Sequence, residues 1–174
     1  MVIKNCLDEY FRLMEERPSL FICGSLPIIS DRALLERYME ESGKQLGVIY
    51  KSEFNCLVVD LLDDGGRLVT YERIIPSATN RGVVCIPVFK DGVILIRQFR
   101  HAIREEQLCF PRGFGEDGLE SCNNAKKELF EEIGAVVSSV EKIGEIVADS
   151  GLSSGRCDVF LCRIDGYSPD RHDE

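Results

Sequence analysis

The chain has 174 residues, of which 44% are hydrophobic, so it is long enough to bury one main core but too short to promise two full domains. Its formal net charge is −9, and no run of lysine and arginine is longer than a pair. Because nucleic acids and anionic membranes attract clustered cations, we expect neither as a partner, and an anionic substrate would have to be held by a metal ion or by a few local arginines.

The apolar stretches and the cysteines both favour a cytoplasmic protein. The longest apolar stretch, residues 20–29, is interrupted by Gly24 and Pro27 and falls well short of the roughly 20 residues that cross a bilayer. We identify no charged-then-apolar signal peptide before it. The eight cysteines form no Cys-x-x-Cys pair and several lie in apolar runs, which predicts reduced thiols in a core.

Two short helices are predicted at the start of the chain. They cover residues 5–16 and 31–42, and the second begins at a capping signal, Ser30-Asp31, and ends at Gly43. Short β-rich runs follow from about residue 47 and predict two hairpins, 54–62 with 67–75 and 83–89 with 93–99, whose turns lie at 63–66 and 90–92.

The second half of the chain is predicted to contain one helix between strands. A glycine-punctuated loop, "CFPRGFGEDGLES", precedes a helical stretch at 121–133 that Gly134 would cap. Strands are predicted at 143–148 and 157–164. Since strands outnumber helices and the helix lies between the hairpins and the last strands, the predicted class is α+β.

The change of pattern near residue 46 predicts the domain organisation. Residues 1–45 form an N-terminal helical extension, and residues 46–174 form the main domain. Within it, 46–76 is a β segment and 83–174 is the core.

One side of the predicted helix at 121–133 is acidic and the other is apolar. At about 100° per residue, Glu128, Glu131 and Glu132 fall within about a quarter of the circumference. The opposite side is predicted to face the core and carries Cys122, Leu129, Phe130 and Ile133. Like charges at this spacing cost only about 0.2–0.5 kcal/mol per pair when solvated, so the crowding alone is compatible with an ordinary wet surface.

The loop before the helix favours a metal site over that simple interpretation. Gly113, Gly115 and Gly118 allow tight turns that aim backbone oxygens towards the helix. Hard divalent cations prefer carboxylate, carbonyl and water oxygens. The loop and helix together predict a magnesium site, which would let an acidic protein hold a diphosphate.

These residues allow comparison with a known family. The stretch "GFGEDGLESCNNAKKELFEEIGA" resembles the Nudix box, which reads G, five residues, E, seven residues, R-E-U-x-E-E-x-G-U, where U is a bulky apolar residue. From Gly113 the match supplies in register Glu128, Leu129, Glu131, Glu132 and Gly134. It departs at Leu119, where the first glutamate belongs, and at Lys127, where the arginine belongs.

The flanking segments resemble one branch of that family, the ADP-ribose and nucleoside-diphosphate-sugar pyrophosphatases. The similar elements are "VILIRQFRH", "CFPRG", "ADSGLSSGRCDVFLC" and the β-rich "YERIIPSATNRGVVCIPV". The resemblance implies an α/β/α sandwich with a mixed sheet and hydrolysis of a pyrophosphate bond by water that Mg²⁺ or Mn²⁺ activates. It also implies a nucleoside diphosphate-type small-molecule substrate, and a homodimer paired through residues 47–75.

The resemblance also implies roles for individual residues. Glu128 and Glu132 would be carboxylate ligands of the metal, and the carbonyl of Arg112 would be another. Glu131 would be a further ligand or would order the attacking water, so both Glu128 and Glu131 are candidate catalytic residues. The loop residues Arg112 and Gly113 would also contact the substrate.

Two more residues are implied to contact substrate. Arg100, in the Q-F-R element, would reach a phosphate or ring, although a structural ion pair is about equally compatible with its position. Asp149, before Ser150-Gly151, resembles a substrate-contacting position, although capping of a turn is an alternative role.

The departures leave two questions open. Lys127 keeps the positive charge but lacks the planar fork that would orient Glu128. Glu120 could replace the carboxylate missing at Leu119 only if the loop shifted register. A catalytically weak domain that binds a nucleotide-sugar as a sensor or interaction module is therefore the alternative function.

The end of the sequence differs from the branch as well. There, a glutamate on a loop after the last strand commonly serves as general base, and a further strand and a closing helix follow. Here Glu174, with Asp173, is the candidate base, and we expect the closing helix to be missing. Either the chain is shortened, or the N-terminal helices cover the sheet face that this helix would cover.

Overall fold

The computed structural model describes residues 5–168. Within these residues the chain divides into two compact units, one made of residues 5–77 and 148–155 and the other of residues 78–147 and 156–168. Each unit has a cluster of buried side chains of its own. The domain boundary expected after residue 45 stays a prediction.

The first unit begins with the two expected helices. Helix α1 spans Cys6–Glu16 and α2 spans Arg32–Ser42, with a 3-10 turn at Pro18–Phe21 between them. The side chain of Asp31 accepts a hydrogen bond from the N–H of Leu34, 3.0 Å away, which satisfies an otherwise unpaired helical donor. Helix α2 ends at Gly43, whose φ of 70° lies in the left-handed region. Both helices and the cap signals are confirmed.

Three antiparallel strands complete the first unit. They are β1 (Gly47–Lys51), β2 (Asn55–Asp64) and β3 (Arg67–Pro76), in the order β1-β2-β3. The β2–β3 turn places Gly65 and Gly66 at φ 62° and 91°, so the first predicted hairpin is confirmed.

The helices bury their apolar sides on this sheet. The shared cluster contains Leu7, Tyr10 and Leu35 from the helices, together with Val58, Leu61 and Ile75 from the strands. Each of these side chains is at most 5% exposed. Burial of this apolar surface holds α1 and α2 against the sheet.

The sheet of the second unit is mixed, as the predicted fold requires. Its strands are β4 (Gly82–Phe89), β5 (Gly92–Val93), β8 (Arg112–Gly113), β9 (Ala135–Ile146) and β10 (Cys157–Tyr167). Their order is β5-β4-β10-β9, and β8 also pairs with β4. Strands β4 and β10 are parallel, whereas the other pairs are antiparallel.

The second predicted hairpin is wrong beyond Val93. Strand β5 pairs with only the last two residues of β4, and the chain then leaves the sheet. It forms a separate two-stranded ribbon from β6 (Ile96–Arg100) and β7 (Glu105–Cys109). The ribbon turn at 101–104 contains neither glycine nor proline, so the usual sequence signal for a turn is absent.

Helix α3 (Ser121–Ile133) packs on the mixed sheet and ends at Gly134, as predicted. Its buried stripe consists of Ala125, Leu129 and Ile133, spaced four residues apart. Phe130 was expected in this core, but it lies beside the stripe and is 45% exposed, so that expectation is wrong. Strand β9 starts immediately after the cap, eight residues earlier than its predicted start.

No helix within residues 5–168 is long and apolar enough to cross a membrane.

Candidate active site

The acidic side of α3 faces strand β8, and the close approach depends on a glycine. A Cβ atom added to Gly113 would lie only 1.8 Å from Oε1 of Glu128. The backbone of Gly113 is itself held by pairing with Val83 of β4. The carboxylate of Glu128 therefore occupies the space that a side chain at position 113 would fill.

Glu132, one helical turn further along α3, contacts the same strand. Its Oε2 atom accepts a hydrogen bond from the backbone N–H of Arg112, 3.0 Å away. The carbonyl of Pro111, just before, accepts from the N–H of Cys85 at 2.8 Å, which fixes this part of the loop to β4. Glu128 and Glu132 are consequently directed at two consecutive residues of one short strand.

Both carboxyl groups are half-buried, and both have a raised pKa. For Glu128 the causes are burial and then the negative charges of Glu132 and Glu131. Burial also raises the pKa of Glu132, although the hydrogen bond from Arg112 and the charge of Arg100 act in the opposite direction. The pair thus holds negative charge in a place where water compensates it poorly.

The third predicted carboxylate does not join this pair. Glu131 is exposed, and its Oε1 atom lies 4.0 Å from Nζ of Lys127. Among residues 5–168, no group of three or more His, Cys, Asp or Glu side chains is arranged to hold a metal ion. The structure therefore brings Glu128 and Glu132 to the loop and leaves Glu131 beside a lysine.

The donors at the loop nevertheless fit a hard divalent cation in kind. The charges of Lys127, Arg100 and Arg112 offset burial of the two carboxylates only in part, since both pKa values stay raised. Carboxylate oxygen is also the ligand that Mg²⁺ and Mn²⁺ prefer. Burial and then repulsion by Glu132 and Glu131 raise the pKa of Glu128, and a cation would offset both effects. A third side-chain ligand would require Glu131 to turn away from Lys127.

The structure identifies Glu116 as the acidic partner of Lys127, a residue that the sequence reasoning missed. Nζ of Lys127 donates to Oε2 of Glu116 at 2.6 Å. Glu120, the replacement considered for the carboxylate missing at Leu119, instead stands at the N-cap of α3 and accepts from the thiol of Cys122 at 3.8 Å. The sequence shows only that Glu116 is an acidic residue in a glycine-rich loop. It does not show that this loop folds back to place Glu116 beside Lys127.

The loop between β8 and α3 is held by amide and hydroxyl groups. Nδ2 of Asn80 donates to the carbonyls of Glu116 and Leu119 at 2.6 and 3.1 Å. Both the N–H and the hydroxyl of Thr79 donate to Asp117. These bonds hold the loop to residues 79 and 80, and the sequence pattern does not predict them.

Arg100 lies at the end of β6 and has an unused donor. Its Nη2 atom donates to Sγ of Cys109 at 3.1 Å, whereas its Nε atom is buried without a hydrogen-bond partner among the described residues. Burial raises the pKa of Glu132, and the positive charge of Arg100 opposes this effect. Arg100 is therefore close enough to the carboxylate pair to interact with it electrostatically.

The remaining predicted residues are not gathered at this loop by any described contact. Asp149 belongs to the first unit, where its Oδ1 atom accepts from the N–H of Gly151 at 3.0 Å and caps a turn. Glu174, the candidate base, lies outside the described residues.

Comparisons with known proteins agree on one family. A family model described as NUDIX domain matches residues 78–170. An ADP-sugar pyrophosphatase of Mus musculus is 33% identical over 115 residues, which cover 60% of this chain and 52% of that protein. The ADP compounds hydrolase NudE of Escherichia coli (strain K12) is 35% identical over 82 residues, 47% of this chain and 43% of that protein.

A solved structure supports the fold. A crystal structure of an ADP compounds hydrolase is similar with a TM-score of 0.64 and 20% sequence identity, over 75% of each chain. At that identity the likeness concerns the fold alone. The chain spans about half the length of the curated relatives it matches.

Proposed function

Since this chain belongs to the NUDIX domain family, we propose that it hydrolyses the pyrophosphate bond of ADP-ribose or of a related nucleoside diphosphate-linked compound. The names of two curated relatives, ADP-sugar pyrophosphatase and ADP compounds hydrolase, support this substrate class. A small molecule rather than a nucleic acid is the proposed partner, in agreement with a net charge of −9.

One observation carries the proposal. Glu128 and Glu132 are half-buried, they are one turn apart, and they are directed at Gly113 and at the N–H of Arg112. A structural role would favour a neutral or fully paired group here, because a half-buried charge that is compensated only in part is costly. A site for a cation and a polyanionic ligand accounts for the arrangement.

A divalent cation, Mg²⁺ or Mn²⁺, is the proposed cofactor. Glu128 and Glu132 would hold it with their carboxylates, and the carbonyl of Arg112 would be a third donor. When bound, such an ion acts as a Lewis acid on phosphoryl oxygens and lowers the pKa of water. The family generally uses divalent metals, which supports this part of the proposal.

The residues of the chain would then bind and orient the substrate. Gly113 has no side chain, which lets the carboxylate of Glu128 lie directly against the loop that would bind a phosphate. The buried Nε of Arg100 would donate to a phosphate oxygen and so gain the partner that it lacks. Glu131, released from Lys127, would order the attacking water or serve as a further ligand.

Two assignments rest on resemblance alone. Glu174 is proposed as general base, and Asp149 as a further substrate contact. Asp149 already caps the turn at Gly151, so a contact with substrate would be an additional role.

The test measures release of AMP from ADP-ribose by the purified chain, with Mg²⁺, with Mn²⁺ and with a chelator. We expect AMP only with metal. Glu132→Gln should lower turnover sharply while the melting temperature changes little, because the side chain points away from the core. Glu141→Gln, an exposed carboxylate on β9, is the matched control and should retain activity. Equal loss of activity and melting temperature in Glu132→Gln would contradict the assignment.

Binding without cleavage is the second candidate function. Leu119, Lys127 and the ion pair that holds Glu131 away favour it. In that case calorimetry would detect ADP-ribose binding while no AMP forms, and restoring the box with Leu119→Glu and Lys127→Arg would raise turnover.

The chain is proposed to act in the cytoplasm as a homodimer. All eight cysteines lie among the described residues as thiols, which agrees with a reducing compartment. The homodimer is proposed because residues 47–75 resemble a segment that pairs two protomers in this branch of the family. A mass of a single chain in multi-angle light scattering would contradict it.

A further inference from the structure

We propose that Asn124 is a positioning residue, whose buried amide keeps residues 112–114 in place while the neighbouring carboxylates of α3 bind the cation. The inference deepens the proposed function and rests on it, because it takes Glu128 and Glu132 to be metal ligands. Asn124 lies one helical turn before Glu128.

The amide is part of a row of contacts between α3 and the start of its loop. Asn124, Glu128 and Glu132 are spaced four residues apart, so they lie on the same side of the helix. They meet residues 112–114 in reverse order: Glu132 bonds to residue 112, Glu128 lies beside residue 113, and Asn124 bonds to residue 114. The amide therefore holds the end of a row whose other two members are the proposed metal ligands.

The two hydrogen bonds in this row differ in what a cation would do to them. The N–H of Arg112 bonds to Oε2 of Glu132, and a cation would draw on the same carboxylate. The bond from Nδ2 of Asn124 to the carbonyl of Phe114, 2.8 Å long, uses neither carboxylate. It can persist when the cation is bound, and it then keeps the loop against α3.

The chemical nature of the group fits this role. An amide donates to a carbonyl without carrying a charge. A lysine in its place would compete with the cation for the carboxylates, and an ionised aspartate could not donate at all. A neutral donor is thus the group that holds the loop and leaves the negative charge of Glu128 and Glu132 to the cation.

The other end of the amide indicates that stability is not its main purpose. Asn124 is 2% exposed, and its Oδ1 atom has no hydrogen-bond partner among the described residues. A carbonyl can only accept, so the nitrogen has to face Phe114 and the oxygen is left unpaired. An unpaired buried acceptor costs at least about as much free energy as one hydrogen bond contributes. The amide is therefore explained by the loop that it holds and not by a gain in stability.

The first test is metal binding by variants of two neighbouring asparagines. Asn124→Ala removes the amide, and Asn124→Leu removes it but keeps a branched side chain. Asn123→Ala is the matched control, because Asn123 is exposed. Binding of Mn²⁺ is measured from the electron paramagnetic resonance signal of the free ion. We expect affinity to fall about tenfold or more in both Asn124 variants and to stay unchanged in the control.

A second measurement needs no metal. Hydrogen exchange followed by mass spectrometry reports on the loop and on α3 separately. In the metal-free Asn124 variants we expect faster exchange in peptides covering residues 112–119 and unchanged exchange in peptides covering 125–134. The melting temperature should fall by no more than about 3 °C, because loss of the hydrogen bond is offset by removal of the unpaired oxygen.

The outcomes separate this role from the proposed function. If the wild type binds Mn²⁺ and releases AMP from ADP-ribose, but both Asn124 variants bind Mn²⁺ as tightly, the positioning role is wrong and the hydrolase stands. If neither variant folds, or if exchange rises throughout α3 as well as in the loop, Asn124 is a structural residue and the positioning role is again wrong. If the wild type neither binds Mn²⁺ nor releases AMP, both proposals are wrong.

Discussion

At the residue scale, the site depends on two glycines that serve different purposes. At Gly113 a Cβ would meet the end of a flexible side chain, the carboxylate of Glu128. At Gly115 it would meet the backbone carbonyl of Asn80, which cannot move without displacing the loop. The same chemical change therefore has different consequences two residues apart.

We predict that Gly113→Ala abolishes most activity while the fold survives. The new methyl group would push Glu128 away from the loop, and the φ of residue 113 lies outside the left-handed region, so the backbone itself is not strained. Gly115→Ala should instead lower the melting temperature clearly. Gly144→Ala, where a Cβ would meet nothing within 4 Å, is the control.

Activity assays and thermal melts of the three variants check this prediction. The assignment of Glu128 fails if Gly113→Ala retains full turnover, or if it loses as much stability as Gly115→Ala.

A second residue-scale prediction concerns the pair formed by Lys127 and Glu116. Both side chains are about half exposed, so we expect little effect on stability when either is changed. Lys127→Glu should lower turnover several-fold, because it adds negative charge beside Glu131 and frees Glu116. The swapped double variant Glu116→Lys with Lys127→Glu restores the pair, and it should recover part of this loss.

The measurement is a double-variant cycle on turnover and on the Mg²⁺ concentration that gives half-maximal rate. Additive effects of the two substitutions would show that the pair has no role in the site.

At the element scale, the helices could be predicted from the sequence, whereas the β6–β7 ribbon and the contacts of the loop before α3 could not. The period of apolar residues and the caps at Asp31 and Gly134 located α2 and α3 closely. Phe130 was wrongly predicted to be buried because it follows Leu129 directly on the helix. Its direction lies within the width that the apolar face of a helix usually has.

The ribbon formed by β6 and β7 escaped prediction for a different reason. The apolar run at 93–99 looks continuous, but the N–H of Ile94 makes one last bond to the carbonyl of Pro87 in β4, and from Ile96 the chain pairs with β7. The contacts that Thr79 and Asn80 make with the loop join residues 36 to 39 positions apart, and a sequence pattern contains local spacing only. Hence the helix that carries the site was predictable, whereas the partners that hold its loop were not.

Strand β10 carries a buried carboxylate with a pH-dependent role. Asp158 is 5% exposed and lies 2.8 Å from Nζ of Lys142 and 3.1 Å from Nη1 of Arg81. Burial alone would raise its pKa, but hydrogen bonds from Lys142 and Ser121 and the charges of Lys142 and Arg81 hold the pKa below its usual range. Glu145, opposite on β9, shares Arg81.

We predict that Asp158→Asn lowers the free energy of unfolding by about 1–3 kcal/mol at pH 7, since it removes a charged hydrogen-bond acceptor. Because the pKa of Asp158 is lower in the folded protein than in the unfolded chain, its ionised carboxylate stabilises the fold at pH values above the unfolded-state pKa. This contribution is lost as the pH falls below about 4. The difference between wild type and variant should therefore shrink between pH 5 and about pH 2.

Urea unfolding across that pH range is the measurement. Asp165→Asn, an exposed aspartate on the same strand, should show no such trend. A constant difference for Asp158→Asn at all pH values would contradict the charged role.

At the scale of the whole molecule, the carboxylate pair and its loop belong to the second unit, while the first unit contains a buried charge of its own. Asp60 is 2% exposed and accepts from the hydroxyl of Tyr10 at 2.5 Å. Arg73 pairs with it at 2.6 Å, donates to the carbonyl of Leu20 and lies over the ring of Phe21. These contacts join α1, the 3-10 turn, β2 and β3.

We predict that the contacts among Asp60, Arg73 and Tyr10 stabilise the first unit and do not affect the hydrolysis proposed for the second unit. Asp60→Ala leaves the guanidinium of Arg73 without its carboxylate in a nearly buried place, and breaking a buried pair in this way costs about 3–5 kcal/mol. Tyr10→Phe removes only one hydroxyl donor and should cost about 1–3 kcal/mol. Asp64→Ala, an exposed aspartate at the end of β2, should stay within about 0.5 kcal/mol of the wild type.

Urea unfolding followed by circular dichroism measures these free energies. Hydrolysis per folded molecule is assayed in parallel at a temperature where each variant remains folded. Because the Asp60 group shares no described hydrogen bond or ion pair with Glu128 or Glu132, we expect turnover to be unchanged in all three variants. A stable Asp60→Ala protein would show that the buried pair is dispensable. Lost turnover in a fully folded variant would instead give the first unit a part in the chemistry.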